Sequence, residues 1–190
     1  MNAVEIQSLL KAEASASKAL VLQRFFKTGP GEYGEGDKFR GVTMPQQRYI
    51  VRFVDKEVDF DAIDVLLDSE YHEDRMTGLL ILVKWFEANK KRPEIQTEIF
   101  EFYLNRTYRI NNWDLVDITA PKIVGAYLVE RDCDLLFKLA ESESLWEQRI
   151  AIVSTWKLIQ QGRFLPTLEL AERLLSHPHD LMHKAVGWML

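Results

Sequence analysis

Helical periodicity runs through the apolar residues of this 190-residue chain and leaves little room for any fold class but an all-α one. From Pro45 onward, apolar residues recur three and four apart, and no convincing run alternates with period two. Pro45 suits the first turn of a helix reaching about Glu57, and Asp59 caps a short helix ending near Asp68. Helices are then expected over 72–89, 93–108, 112–128, 132–141, 145–160 and 163–175, with a last one from about Asp180 to the end. Pro121 falls inside the helix over 112–128, where its missing N–H predicts a kink or break. Short loops join these segments and pair starts recur roughly every 35 residues, the signature of an α-solenoid, a superhelix of helical hairpins. One domain spanning 1–190 is expected, long enough to bury a sizeable core.

Ahead of the regular part, the segment from about Asn2 to Lys27 reads as two short helices. They carry Val4, Ile6, Leu9 and Leu10, then Leu20, Val21, Phe25 and Phe26. A glycine-dense stretch follows, from Thr28 to Asp37. Its spacing comes near that of a phosphate-cradling P-loop, but Asp37 stands where the lysine is needed, and Glu32, Glu35 and Asp37 would repel phosphate. A connecting loop is the expectation, with Tyr33 at its tip as the residue there best placed to touch a ligand.

Composition removes several classes of chemistry. A single cysteine, Cys133, allows no internal disulfide and suits a reducing cytoplasm, so a cytoplasmic location is expected. The start shows no basic segment leading into an apolar one, and the longest apolar run, Leu79 to Val83, is far too short to span a bilayer; no membrane association is expected. The four histidines include no HExxH and one cysteine builds no thiolate site, so no metal is expected. No G-x-S-x-G or partnered cysteine motif is present. Carboxylate chemistry remains. The net charge of -5 argues mildly against nucleic acid, although the placement of Lys and Arg decides that question.

Glu73-Asp74-Arg75 aligns with Glu147-Gln148-Arg149, and a third copy aligns with His183-Lys184-Ala185. Stacked repeats superpose equivalent positions, so Arg75, Arg149 and Lys184 are expected to form a basic row along one face. The intervening repeat puts Trp113 and Asp114 where the cation would stand, within Asn111-Asn112-Trp113-Asp114-Leu115-Val116-Asp117. Four residues separate Trp113 from Asp117, so both project from one helix face. Spacing alone favours packing. Tryptophans at helical spacing are usually core, which is the expectation for Trp85, Trp146 and Trp156, and an acid near a helix start, such as Asp114, is usually a cap.

Taken together, Asn112-Trp113-Asp114-Leu115-Val116-Asp117, Leu145-Trp146-Glu147-Gln148-Arg149 and Lys184-Ala185-Val186-Gly187-Trp188 resemble the AlkD-type DNA alkylation repair family, HEAT-like-repeat DNA glycosylases. The segment from Phe25 to Gly34 resembles loops of the same family, and the similarity extends over nearly the whole chain. The resemblance implies a HEAT-like α-solenoid with a basic groove for duplex DNA containing alkylated bases, and hydrolysis of the N-glycosidic bond of cationic N3- and N7-alkylated purines. It implies Asp117 as the catalytic carboxylate, Trp113 and Trp188 as aromatic walls beside the lesion's sugar, and Arg149 as a groove arginine. Arg75, Lys184, Phe25 and Tyr33 complete the expected DNA-facing set. No cofactor is implied, and a monomer is expected. The chain departs from the family in carrying Phe25 where a groove tyrosine is found, and in stopping at Leu190 where the family continues through further helices. A HEAT-like scaffold that binds DNA or protein without catalysis is the alternative, since solenoid folds serve many functions.

Overall fold

The computed structural model describes residues 1–55 and 59–190, and among these the protein is all-helical. Its β-type pairing is an isolated bridge between Lys38 and Tyr71. The chain divides into two units, Met1–Ala88 and Asn89–Leu190.

In the first unit, α1 (Ala3–Ala12) starts on a capping box in which Asn2 Oδ1 accepts from the Glu5 N–H and Glu5 accepts from the Asn2 N–H, each at 2.9 Å. Its buried face is Ala3, Ile6 and Leu10. α2 (Ala16–Phe25) buries none of its residues and leaves Leu20, Val21 and Phe25 exposed, so its apolar residues do not serve the core. α3 (Met44–Arg52) opens on Thr43 with Pro45 in its first turn, as the sequence indicates, but ends at Arg52; the expected end near Glu57 lies outside the described residues. α4 (Phe60–Leu67) starts on Asp59, which accepts from the Ala62 N–H at 3.2 Å, and ends at Asp68.

α5 (His72–Ala88) is the axis of this unit and is packed by α1, α3 and α4. Leu79, Ile81, Leu82 and Trp85 leave almost no surface, and the polar first turn is buried with them. Buried charge must be paired. Glu73 accepts from the N–H groups of Arg40, Gly41 and Val42 at 2.9, 2.8 and 3.1 Å. Asp74 takes a two-pronged bond from Arg40 at 2.7 and 2.8 Å.

The second unit opens with α6 (Pro93–Leu104), a 3-10 turn over Thr107–Arg109, and α7 (Trp113–Ala120). A π-helical turn, Pro121–Gly125, joins α7 to the short α8 (Ala126–Leu128). α9 (Asp134–Ala140), α10 (Leu145–Ile159), α11 (Leu165–Leu174) and α12 (Asp180–Met189) follow. α10 is the axis here. It packs against α7, the π turn, α9, α11 and α12, with Ile150, Ala151, Ile152, Val153 and Leu158 fully inside. Apart from the end of α3, helix boundaries lie within a few residues of those read from the sequence; the region 93–108 resolves into α6 and the 3-10 turn.

Candidate active site

α7 is opened by its cap and altered by its proline. Asn112, buried, accepts from the Trp113 N–H at 2.9 Å and starts the helix. Asp114 lies in the first turn, where the macrodipole favours an anion, and accepts from the Leu115 N–H at 2.9 Å, a structural role. Leu115, Val116, Thr119 and Ala120 face the core. Trp113 and Asp117 are half-buried, four residues apart on one face.

Four residues beyond Asp117 comes Pro121, which has no N–H to give the Asp117 carbonyl and whose ring would collide with it in an α-helix. The backbone widens instead into a π turn, with the Ala126 N–H reaching the Pro121 carbonyl five residues back. The expected kink therefore takes the form of a local change of helical pitch, just after Asp117.

α10 supplies the partner. A Cβ placed on Gly125 would stand 2.3 Å from the Ser154 carbonyl oxygen, so only glycine lets the two backbones approach this closely. Ser154 Oγ donates to the Ala120 carbonyl across the same contact at 3.5 Å. In this register Arg149 meets Asp117 fork to fork, with Nε donating to Oδ1 at 2.9 Å and Nη2 to Oδ2 at 2.8 Å. Arg149 Nη1 donates to the Leu181 carbonyl and so ties the pair to α12. The Arg149 side chain is 6% exposed and that of Asp117 17%.

Burial pushes the Asp117 carboxyl above the ordinary aspartate range; the hydrogen bonds and charge of Arg149 pull it back, and the Asp114 charge adds a smaller upward push. Each carboxylate oxygen accepts about two hydrogen bonds, so the guanidinium leaves acceptor capacity on both. The arrangement is a fixed, partly exposed anion that can orient water or face a developing positive charge.

The other expected site residues are distributed as follows. Lys184 is exposed and pairs with Asp180 at 2.8 Å. Trp188 is 49% exposed, and its ring stacks on Trp156 with centroids 5.6 Å apart and planes at 28°. Trp156, expected in the core, is 39% exposed because its place on α10 faces the surface-lying end of α12. Trp146 is half-buried, and Trp85 is core, its Nε1–H donating to the Asp55 carbonyl at 2.8 Å.

In the first unit, Phe25 is exposed and meets the Phe26 ring edge-on at 5.1 Å, while the half-buried Tyr33 donates its hydroxyl to the Phe25 carbonyl at 3.4 Å. The glycine-dense loop fills its own amides. The N–H groups of Gly29 and Gly31 donate to Glu32 and Glu35, each at 2.8 Å, which accounts for its being a connecting loop.

Arg75 corrects the expected basic row. It is buried on α5, with Nη2 donating to Asp37 Oδ1 at 2.7 Å and Nη1 to the Ser69 carbonyl at 2.9 Å; Asp37 Oδ2 lies 3.2 Å from His72 Nδ1. Burial on every side of α5 obliges the guanidinium to turn inward onto a carboxylate, as that of Arg149 does. Of the three cations expected to form the row, Lys184 alone is at the surface.

Sequence reasoning missed Trp156 as a surface residue. Spacing gave no signal, since Arg149, seven residues earlier on the same face, is buried.

A family model described as DNA alkylation repair enzyme matches residues 6–190. The chain belongs to that family. The match takes in both units and every residue of the Asp117–Arg149 pair. Membership makes the protein an enzyme of alkylation-damage repair with DNA as its substrate. No curated protein matches the chain. Among the described residues, no helix of this DNA alkylation repair enzyme is long and apolar enough to cross a membrane.

Proposed function

We propose that the protein is a monomeric, cofactor-independent DNA glycosylase of the cytoplasm, arranged as a HEAT-like α-solenoid. It hydrolyses the N-glycosidic bond of cationic N3- and N7-alkylated purines in duplex DNA. The observation that carries this reading is the Asp117 carboxylate, oriented by two bonds from Arg149 yet left partly exposed beside Trp113.

An alkylated cationic purine is already a good leaving group, so the protein need not protonate it. The electron pair of the glycosidic bond departs with the base, which becomes neutral, and positive charge develops on the deoxyribose. Asp117 stabilises that charge from a fixed position, at no cost in reorganisation. Water then bonds to C1′ and gives up a proton through the carboxylate, leaving an abasic sugar. Trp113 and Trp188 offer aromatic faces to a cationic sugar. Arg149 holds the carboxylate at one orientation.

A second reading, a DNA- or protein-binding scaffold without catalysis, is favoured by one observation. Asp37 and Arg75 make the same kind of buried pair in the first unit, where the carboxylate serves structure. The two differ in access, since the Asp37 side chain is 4% exposed against 17% for Asp117. The deciding experiment is incubation of methylated duplex DNA with purified protein, assayed for free base. Release by the wild type and none by Asp117→Asn, with salt-sensitive DNA binding retained, is the expected result. Unchanged release by the variant overturns the assignment, and DNA binding without release by the wild type favours the scaffold.

A further inference from the structure

We propose that Trp156 is a positioning residue that holds the Trp188 indole in place for its contact with substrate; this rests on the protein being a glycosylase. Trp156 follows Arg149 by seven residues on α10, and Trp188 follows Leu181 by seven on α12. Seven residues are close to two helical turns, so each pair shares a face and lies about 10 Å apart along its helix. The Arg149–Leu181 hydrogen bond and the Trp156–Trp188 stack are thus two rungs between the same pair of helices. One rung orients the carboxylate and the other orients an aromatic ring.

α12 gives Trp188 little support of its own. A helical side chain leans back over the residues three and four before it, here Ala185 and Lys184. Ala185 is small and buried, while Lys184 is exposed and directed to Asp180. Gly187 adds no side chain. The Trp156 ring stacks on Trp188, with centroids 5.6 Å apart. Both indoles remain substantially exposed, so each has one face for its partner and surface left for a ligand. Fixing a bulky ring before substrate arrives removes an ordering cost from binding and reaction.

The test compares wild type with Trp156→Leu, Trp156→Phe, Trp188→Leu and the double leucine variant. Circular dichroism of the DNA-free protein reports indole coupling as an exciton couplet, expected in wild type and absent in every variant. Single-turnover release of methylated base is expected to fall about 3- to 10-fold in Trp156→Leu and to recover mostly in Trp156→Phe. In the Trp188→Leu background, Trp156→Leu is expected to cause no further loss, because its effect passes through Trp188. Affinity of Trp156→Phe and Trp156→Leu for undamaged duplex is expected to stay unchanged. Additive losses, a wild-type rate in Trp156→Leu, or no couplet in wild type overturns the proposal, and Trp156→Phe carries the rate and coupling tests should the leucine variant not fold. A couplet without base release by the wild type leaves the ring pair standing but ends both the glycosylase reading and the positioning role.

Discussion

At the scale of single residues, the properties of Asp117 come from two opposed neighbours: the apolar interior that disfavours its charge and the guanidinium that favours it. Burial prevails, so the carboxyl ionises above the ordinary aspartate range of about 3.9. Activity that needs the carboxylate is lost as pH falls through that raised value, and the acid limb of base release is expected above the pH of an ordinary aspartate. For stability the sign is opposite. Between the unfolded and the raised folded value, the folded state holds a proton that the unfolded state has lost, so this group's contribution declines as pH rises through that window. Arg149→Met removes the downward pull and is expected to move the acid limb further up, while costing about 3–5 kcal/mol in urea unfolding by stranding a buried charge. An unmoved limb would show that Asp117 is not the group titrating. The shared face of Trp113 and Asp117 was legible from spacing, but family resemblance offered Arg149 only as a groove arginine, and no local pattern joins residues 32 apart. The Asp37–Arg75 pair was illegible for the same reason: α3 and α4 lie between its members in the chain.

At the scale of elements, the site depends on how closely α10 approaches the helix that carries Asp117. Gly125 permits the approach, and Gly187 on α12 offers a contrast, since a Cβ there meets nothing within 4 Å. Gly125→Ala is expected to cost about 1–3 kcal/mol or more, because backbone rather than a flexible side chain must yield, and to lower base release by parting Asp117 from Arg149. Gly187→Ala is expected to be neutral or to stabilise by up to about 1 kcal/mol. Thermal melts of both variants check the contrast; a stable Gly125→Ala protein with full activity would separate the site from this contact. Helices were legible because caps and prolines act locally: Asp59, Pro45 and Pro93 sit where their chemistry puts them. The π turn was visible only as a break at Pro121, because its form depends on the approach of α10.

At the scale of the whole molecule, a DNA-binding enzyme with net charge -5 must rely on where its cations stand. The sequence alignment puts Arg75 and Arg149 at matching positions, but a shared alignment position does not say whether a side chain faces solvent or core. Both guanidiniums are themselves buried and committed to carboxylates of the protein, and a cation neutralised in this way releases no counterion from DNA. Lys184, exposed and held by a surface pair of little energetic worth, can exchange Asp180 for a phosphate. Lys184→Ala is therefore expected to make the plot of log affinity against log salt shallower by about 0.9, with stability unchanged within about 1 kcal/mol. Arg75→Met is expected to do the reverse, destabilising by about 3–5 kcal/mol while leaving the salt slope as it was. Titration of duplex DNA at several salt concentrations, with urea unfolding of both variants, separates the two roles. A salt slope altered by Arg75→Met in protein that remains folded would put that arginine back at the DNA surface.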